Sequence, residues 1–344
     1  MSRISCTFLF LFLSSTLWAQ ETPLDTANLN YDPHYIIDYS DKLSIRVLNV
    51  IKFSQVLHHD DSTGKSIIYR PNENVNIGFG VSTEWLSLAA SFGMPFLNND
   101  NDIFGKTTAL DFTSSIYLRK VAIDLLFQFY QGFFLANPQD LIPGYSSSQY
   151  PTRRDLTTLN MGTSAVYIFN HKRFSYRAAY TQSERQFKSA GSFLAGLYIN
   201  AYRMEADSSL IPSDLIYANP NNDFRDINFY NLGITGGYAY TAVIYHKIYV
   251  SASLTIGLGP QIERARATDI REGYNRTILD TSATAKLALG YNGKRAFGGV
   301  SWYGLATGTK HENEAYLQRS TNNIRLYFGM RFHKPKFLSN SRMF

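Results

Sequence analysis

Proton transfer near neutrality falls most readily to histidine, and this sequence has seven: His34, His58, His59, His171, His246, His311 and His333. A lipid hydrolase carried on a β-barrel needs one of them beside a serine nucleophile at the bilayer surface, oriented by an Asn, Asp or Glu. None falls in the middle of a predicted strand, and His171 and His246 belong to tight turns. His58-His59-Asp60-Asp61 offers imidazole and carboxylate ligands to a metal, but adjacent strand residues point to opposite faces. His311-Glu312-Asn313-Glu314 has the same weakness. Asp100, Asp102, Gly105 and Asp111 echo calcium-loop spacing, yet Phe104 takes a ligand position and Asp111 already fits a strand. No catalytic residue, metal or cofactor is therefore expected.

A different group carries charge rather than catalysis: Asp111, Asp124, Gln128, Arg177, Asp280, Lys286, Arg325 and Arg331 all fall on the polar face of alternating segments. Both signs are present, which suits either a charge-paired interior or a narrow hydrophilic pore. Ser183-Glu184-Arg185-Gln186 with Lys188 and Ser189, and the stretch 206–212, form irregular polar sequence where a gate or binding loop is expected.

The elements that position these residues announce themselves by period 2. Ile248, Val250, Ala252, Leu254, Ile256 and Leu258 alternate with Tyr249, Ser251, Ser253, Thr255, Gly257 and Gly259; the same rhythm runs through 75–82, 110–118, 279–289 and 324–332. A soluble sandwich with its apolar face inward and an outer-membrane barrel with its apolar face outward share this pattern. Connections favour the barrel: short ones at 83–84, 119–120, 170–172, 245–247 and 292–294 alternate with long polar ones at 58–72, 95–106, 135–153, 261–276 and 307–321. Trp85, Tyr117, Tyr167, Phe169, Phe174, Tyr245, Tyr249, Tyr291 and Phe297 flank the short turns, as an interfacial aromatic girdle requires. Thirteen segments qualify: 44–57, 72–83, 85–93, 107–118, 121–135, 154–169, 173–184, 191–203, 226–243, 248–259, 277–291, 295–306 and 321–333. Single-chain bacterial barrels are even-numbered, so one is surplus, and 191–203 is the suspect unless a partner strand lies in 204–225. The expected fold is all-β, an antiparallel transmembrane barrel of about 12 strands within a range of 10–14.

Composition agrees. The chain has 24 Tyr, 24 Phe and 3 Trp among 344 residues, 17% charged residues and a net charge of +6, which excludes disorder, coiled coil and a nucleic-acid-like basic excess. Residues 1–19 combine Arg3, an apolar run from Ile4 to Leu13 and small Ala19, the form of a cleaved secretory signal that removes Cys6, the one cysteine. Leu17 departs from an A-x-A site, so cleavage is expected after Ala19 or Gln20. Beyond residue 20 no apolar run reaches the 18 residues of a helical span. The expected layout is a signal at 1–19, a periplasmic extension at 20–43, the barrel at 44–333 and a tail at 334–344. Tyr327, Gly329, Met330 and Phe332 in the last segment match a polar-x-Gly-apolar-x-apolar insertion signal.

The strings YRPNENVNIGFG (69–80), TEWLSL (83–88), SAGSFL (189–194), ADSSLIP (206–212), GGYAYT (236–241), GLGPQ (257–261) and GYNGKR (290–295) make the chain resemble an outer-membrane family of Bacteroidota, domain of unknown function 4421 (DUF4421), from about Tyr31 to Phe332. The resemblance implies an outer-membrane barrel and carries over no catalytic residue. The function expected is a small-solute or lipid-related transport channel or a structural membrane component; a barrel-borne lipid hydrolase or acyl-modifying enzyme, and a loop-mediated surface-binding protein, are the alternatives. Outer-membrane lipids, lipopolysaccharide and the barrel-assembly machinery are the expected partners; nucleic acid is not.

Overall fold

The computed structural model describes residues 29–39, 41–60, 64–73, 75–82, 87–93, 100–209, 224–267, 274–310 and 315–333. The signal segment 1–19, residues 20–28 of the extension, the His311–Glu314 cluster and the tail 334–344 lie outside the described residues. Strands follow in the order β1 (Ile36–Asp38), β2 (Lys42–Asp60), β3 (Lys65–Arg70), β4 (Asn76–Ser82), β5 (Ser87–Gly93), β6 (Thr108–Tyr117), β7 (Val121–Leu135), β8 (Thr152–Ile168), β9 (Glu184–Gln186), β10 (Ala190–Glu205), β11 (Phe224–Ile244), β12 (Ile248–Ala267), β13 (Tyr274–Asn292), β14 (Ala296–Lys310) and β15 (Ala315–His333). Helices are one turn or little more: α1 (Asn101–Phe104), α2 (Pro138–Leu141) and α3 (Tyr176–Tyr180). No helix among the described residues is long and apolar enough to cross a membrane, which says nothing of strands.

Ten strands close a hydrogen-bonded antiparallel ring: β2, β3, β7, β8 and β10 to β15, the last returning to β2 along its full length from Lys42–His333 to Asp60–Ala315. Three more hang from this ring. At its short-turn end β2 pairs with β4 and β4 with β5; β6 pairs with β7. The β3 link above them is slender, two residue pairs to β7 (Tyr69–Leu135 and Arg70–Phe134). Asn137 extends it with its side chain, accepting from the Ile68 N–H at 3.1 Å and donating to the Ser66 carbonyl at 2.8 Å. The closed barrel is thus ten-stranded, at the low end of the expected range rather than at twelve; below the link β4 and β5 extend from β2 and β6 from β7, with no β5–β6 pairing among the described residues.

Side-chain phase explains why the chain folds this way. On β12, Leu254, Ile256 and Leu258 are half exposed while Ser253 and Thr255 are buried; the same division holds on β15, where Leu326 and Phe328 face out and Asn323, Tyr327 and Arg331 face in. An apolar outside and a polar inside suit a bilayer rather than water, and the nine long ring strands, all but β3, have 15–21 residues, more than the roughly 9–11 needed to cross one. The excess length lies at the long-loop end: β12 runs to Ala267, β13 starts at Tyr274, β14 reaches Lys310 and β15 starts at Ala315. The expected loops 261–276 and 307–321 are thus mostly strand. Beyond the hydrocarbon, Arg264, Arg266 and Gln318 no longer need to alternate with apolar residues, so periodicity fades while pairing continues.

The parity problem resolves at 173–184, which is no wall strand. Segment 191–203, the suspect, is the genuine wall strand β10. Phe174, Tyr176, Ala178 and Tyr180 imitate period 2, but the Ser175 side chain accepts from the Ala178 N–H at 3.1 Å and caps α3, and Ala178-Ala179 continue the helical turn. Residues 58–72, expected as loop, instead hold the end of β2 and all of β3, so His58 and His59 are strand residues; β4 begins at Asn76 rather than 72.

Candidate functional site

The lumen is tiered. At the short-turn end, α3 and β9 fold inside the ring, and β9 pairs with β1 of the N-terminal segment through Ile36–Gln186 and Asp38–Glu184. Glu184 is fully buried and gathers Arg119, Arg177 (2.9 Å) and the Ser175 hydroxyl (2.5 Å). The wall grips this plug through Asn292, which donates to the Ala178 and Glu184 carbonyls at 2.9 Å, and through Arg331, which donates to Asn292 Oδ1 at 2.7 Å and to the Gln182 carbonyl. Tyr249 and Tyr327 meet hydroxyl to hydroxyl at 2.5 Å beneath Gln182. Outside the ring, the His34 backbone N–H at 3.0 Å holds the Asp32 carboxyl below the usual carboxylate range.

Tyr117, Tyr249 and Phe297, expected in an outer girdle, are turned inward by strand phase and pack on the plug or stand against Arg331, and Phe174, also expected there, lies in the plug itself. Tyr167, Phe169, Tyr245 and Tyr291 do face outward. At the opposite end the lumen is filled by apolar side chains: Val56, Ile67, Tyr69, Phe133, Leu156, Met204, Phe229 and Leu317, with Leu141 of α2 packed among them.

Between plug and apolar cluster lies a cavity of about 360 Å³. Tyr180 and Thr181 of the plug form its floor; Arg46 and Lys52 of β2, Asp111, Thr113, Ser115 and Tyr117 of β6, Lys286 of β13, Tyr303 of β14, and Asn323 and Arg325 of β15 form its walls. Lys52 Nζ lies 2.8 Å from Asp111 Oδ1. Lys286 Nζ lies 2.7 Å from Asp124 Oδ1, which also accepts from the Ser115 hydroxyl at 2.6 Å. Three rings surround that ammonium, Tyr117, Tyr176 and Tyr303, at 5.1, 5.5 and 5.7 Å. The guanidiniums donate to main chain: Arg325 to the Thr113 carbonyl at 3.2 Å, Arg46 to the Thr181 carbonyl at 3.4 Å. Above, Tyr130 Oη stands 2.5 Å from Asp111 Oδ2 and 2.8 Å from Glu73 Oε1, and Glu73 Oε2 accepts from the Ser54 N–H at 2.6 Å. That last bond satisfies β2 where its partner changes from β4 to β3.

The wall is interrupted beside this cavity. Among the described residues β5 is hydrogen-bonded only to β4, and β6 only to β7. Both free edges border the same space, Ala89 and Ser91 from β5 and the run Leu110 to Ser115 from β6. Leu110 and Phe112 point to the lipid side of β6, and Phe92 to that of β5, with 54–65% of their surface exposed. Everywhere else the ring is continuous.

Of the polar residues singled out in the sequence, Asp111, Lys286 and Arg325 line the cavity; Asp124 and Gln128 anchor it from β7, Gln128 donating to Asp111 Oδ2 at 2.7 Å. Asp280 is buried higher in the lumen, Arg331 lies at the plug, and Arg177 stands on α3 rather than mid-strand. Arg46, Lys52, Glu73, Tyr117, Tyr130 and Tyr303 were not in that group; Lys52 shares the inward phase of β2 and was legible by parity, had Leu48 and Val50 not broken the polar pattern. Asp100 accepts from Asn72 Nδ2 at 3.0 Å, far along the chain from Asp111 on β6, and no three potential ligands gather among the described residues. His59 Nδ1 lies 2.8 Å from the Ser66 hydroxyl, His171 and His246 are in turns, and no histidine among the described residues lines the cavity. Arg153 ties down Ser208 and Ser209 of the 206–212 stretch, whose remainder lies outside the described residues. Tyr327 and Gly329 face the lumen, Met330 and Phe332 the outside; a Cβ at Gly329 would stand 2.4 Å from the Phe297 ring.

Solved barrels are similar in outline. The outer membrane protease OmpT from Escherichia coli aligns at TM-score 0.41 and 9% identity, covering 90% of this chain and all of that one. The translocator domain of the autotransporter NalP from Neisseria meningitidis gives 0.32 and 10%, covering 85% and 88%; the toluene transporter TodX from P. putida gives 0.26 and 7%, covering 86% and 91%. No curated protein matches the sequence. The stretch from the plug's N-terminal arm to the final wall strand, residues 30–332, matches the family described as Domain of unknown function (DUF4421), and with nearly its whole length covered the chain belongs to that family.

Proposed function

We propose that this protein is an outer-membrane barrel that takes an amphipathic, lipid-like molecule from the bilayer sideways into its lumen, and that it is not an open pore. One observation carries the reading: among the described residues the edges of β5 and β6 have no strand partner and flank a polar cavity with the plug below and apolar side chains above. An axial pore for water-soluble solutes needs a continuous hydrated path, and the apolar tier interrupts it. The alternative of a lipid hydrolase draws less support, since no histidine base lines the cavity among the described residues. In this reading the leader is cleaved on export, the barrel-assembly machinery inserts the chain, and membrane lipids, lipopolysaccharide among them, are its neighbours.

Photo-crosslinking tests it. With p-benzoylphenylalanine at lumen-facing Thr113, the protein in native membranes is expected to capture lipid, as it does with the probe at lipid-facing Phe112; a probe at Thr158, buried in the upper lumen, captures none. Lipid adducts at Phe112 but none at Thr113 would sink the proposal.

A further inference from the structure

The two ends of the barrel differ in how their charges are satisfied. At the long-loop end cations stand beside carboxylates: Arg153 lies 2.8 Å from Asp155 and Arg276 3.1 Å from Glu263, and Arg203 meets Glu205 and Asp226. At the short-turn end the exposed charge is almost all of one sign. Lys120 stands between β6 and β7, Lys172 in the connection after β8, Lys247 between β11 and β12, and Lys294 with Arg295 between β13 and β14. All five side chains are exposed, and none forms an ion pair with another described residue. Arg173 and Lys188, both over the Tyr35 ring, add to the same end. The acids there do not balance them: Glu184 is buried against Arg119 and Arg177, Asp32 sits between His34 and Arg173, Asp38 is half-buried in β1, and Asp41 is exposed. Glu84 of the β4–β5 connection lies outside the described residues, and counting it leaves the end strongly basic.

The height of these cations decides what they meet. Leu118 precedes Lys120, Phe169 precedes Lys172, Tyr245 precedes Lys247 and Tyr291 precedes Lys294 by two or three positions, and all four face outward. Aromatic side chains in such a band settle at the boundary between hydrocarbon and headgroups. Two or three further residues, at about 3.3 Å each, reach at most about 10 Å past that boundary. The headgroup layer is roughly 5–8 Å deep on each side of the hydrocarbon. The lysines of four separate connections therefore stand at phosphate level around the wall, rather than far out in solution. A zwitterionic headgroup brings its own cation, whereas an anionic one brings net negative charge, and each Lys or Arg near an anionic lipid surface gains about fivefold in association. We infer that the short-turn end carries a binding belt for anionic phospholipid headgroups, with Lys120, Lys172, Lys247 and Lys294 as its contacts. Short turns of outer-membrane barrels face the periplasm, so the leaflet concerned is the inner one. The belt needs the barrel to lie in a bilayer and nothing from sideways access.

Spin-labelled lipids read this directly. The full-length protein is reconstituted in vesicles of phosphatidylcholine and phosphatidylglycerol in equal parts, and electron paramagnetic resonance measures how much of each labelled lipid is slowed at the barrel surface. Phosphatidylglycerol is expected to associate about threefold to fivefold more strongly than phosphatidylcholine at low salt. The preference should shrink toward parity in 1 M NaCl, where charges are screened beyond about 3 Å. Replacing the four lysines together, Lys120→Gln, Lys172→Gln, Lys247→Gln and Lys294→Gln, should abolish it. An equal loss of charge at the exposed positions of the other end, Lys106→Gln, Arg154→Gln, Arg264→Gln and Arg266→Gln, should leave it in place. Equal association of the two lipids with the unaltered protein would overturn the belt, and so would a preference that 1 M salt leaves intact or that both sets of substitutions remove alike. The salt series on the unaltered protein decides the matter even if a variant fails to insert. Lipid parity, together with binding of soluble peptidoglycan fragments that the four-lysine replacement removes, would put the cell wall in place of the leaflet.

Discussion

Lys286 shows what a single side chain does in this lumen. Its ammonium is buried, lies 2.7 Å from Asp124 and is ringed by three tyrosines, so it ties β13 to β7 across the barrel. Removing one partner of a buried pair leaves an uncompensated charge, at a cost of about 3–5 kcal/mol, whereas replacing both by apolar residues of similar volume costs far less. Asp124→Asn should therefore lower the temperature at which the barrel loses its compact electrophoretic form, and Asp124→Leu with Lys286→Met should restore most of it. The pair was half legible in the sequence: period 2 puts both residues on polar faces, but which strands meet across the lumen depends on barrel closure. A charge on the other face makes the contrast. Leu254→Arg faces hydrocarbon and is expected to cost roughly 2–4 kcal/mol near the bilayer midplane.

At the scale of elements, the strands that carry strict alternation, β11 to β15, were readable because lipid and lumen impose opposite chemistry on successive residues. Two elements escaped that rule. Segment 173–184 lies inside the ring, where both faces meet protein, so the accidental alternation of Phe174, Tyr176, Ala178 and Tyr180 reported nothing about lipid. Strand β3 stands above a break in the wall, with Ile67 and Tyr69 turned into the apolar tier; its register follows from β2 and Asn137, not from its own pattern. Ser175 is the small residue on which the plug's form depends. Losing its cap costs about 0.5–2 kcal/mol, and Glu184 loses a donor at the same time. Ser175→Ala is thus expected to speed proteolytic cutting between 170 and 189 in the folded protein while leaving wall strands protected; unchanged cutting would show that the wall contacts of Asn292 and Arg331 hold the plug alone.

Among the described residues the molecule is a closed ten-strand barrel whose lumen holds a plug at one end and an apolar tier at the other, with β5 and β6 unpaired to each other below β3. Its high aromatic content divides between an outward band and inward tiers. Composition made the class legible; it could not tell which tyrosines point in. Planar-bilayer recordings should find the intact protein silent, and removal of residues 30–39, which deletes the strand paired with β9, should produce intermittent conductance as the plug loosens. A steady current from the intact chain would contradict an occupied lumen.

The edges of β5 and β6, unpaired among the described residues, have a further consequence for the membrane itself. Backbone N–H and C=O groups left bare in hydrocarbon cost several kcal/mol each, and lipid offers them nothing. Behind the bare edges of β5 and β6, however, lies a space lined by lysine, arginine, serine and threonine, which water can fill. On the proposed reading the opening would therefore be wet, and a polar group entering beside Phe92, Leu110 and Phe112 would exchange one hydration shell for another rather than cross dry hydrocarbon.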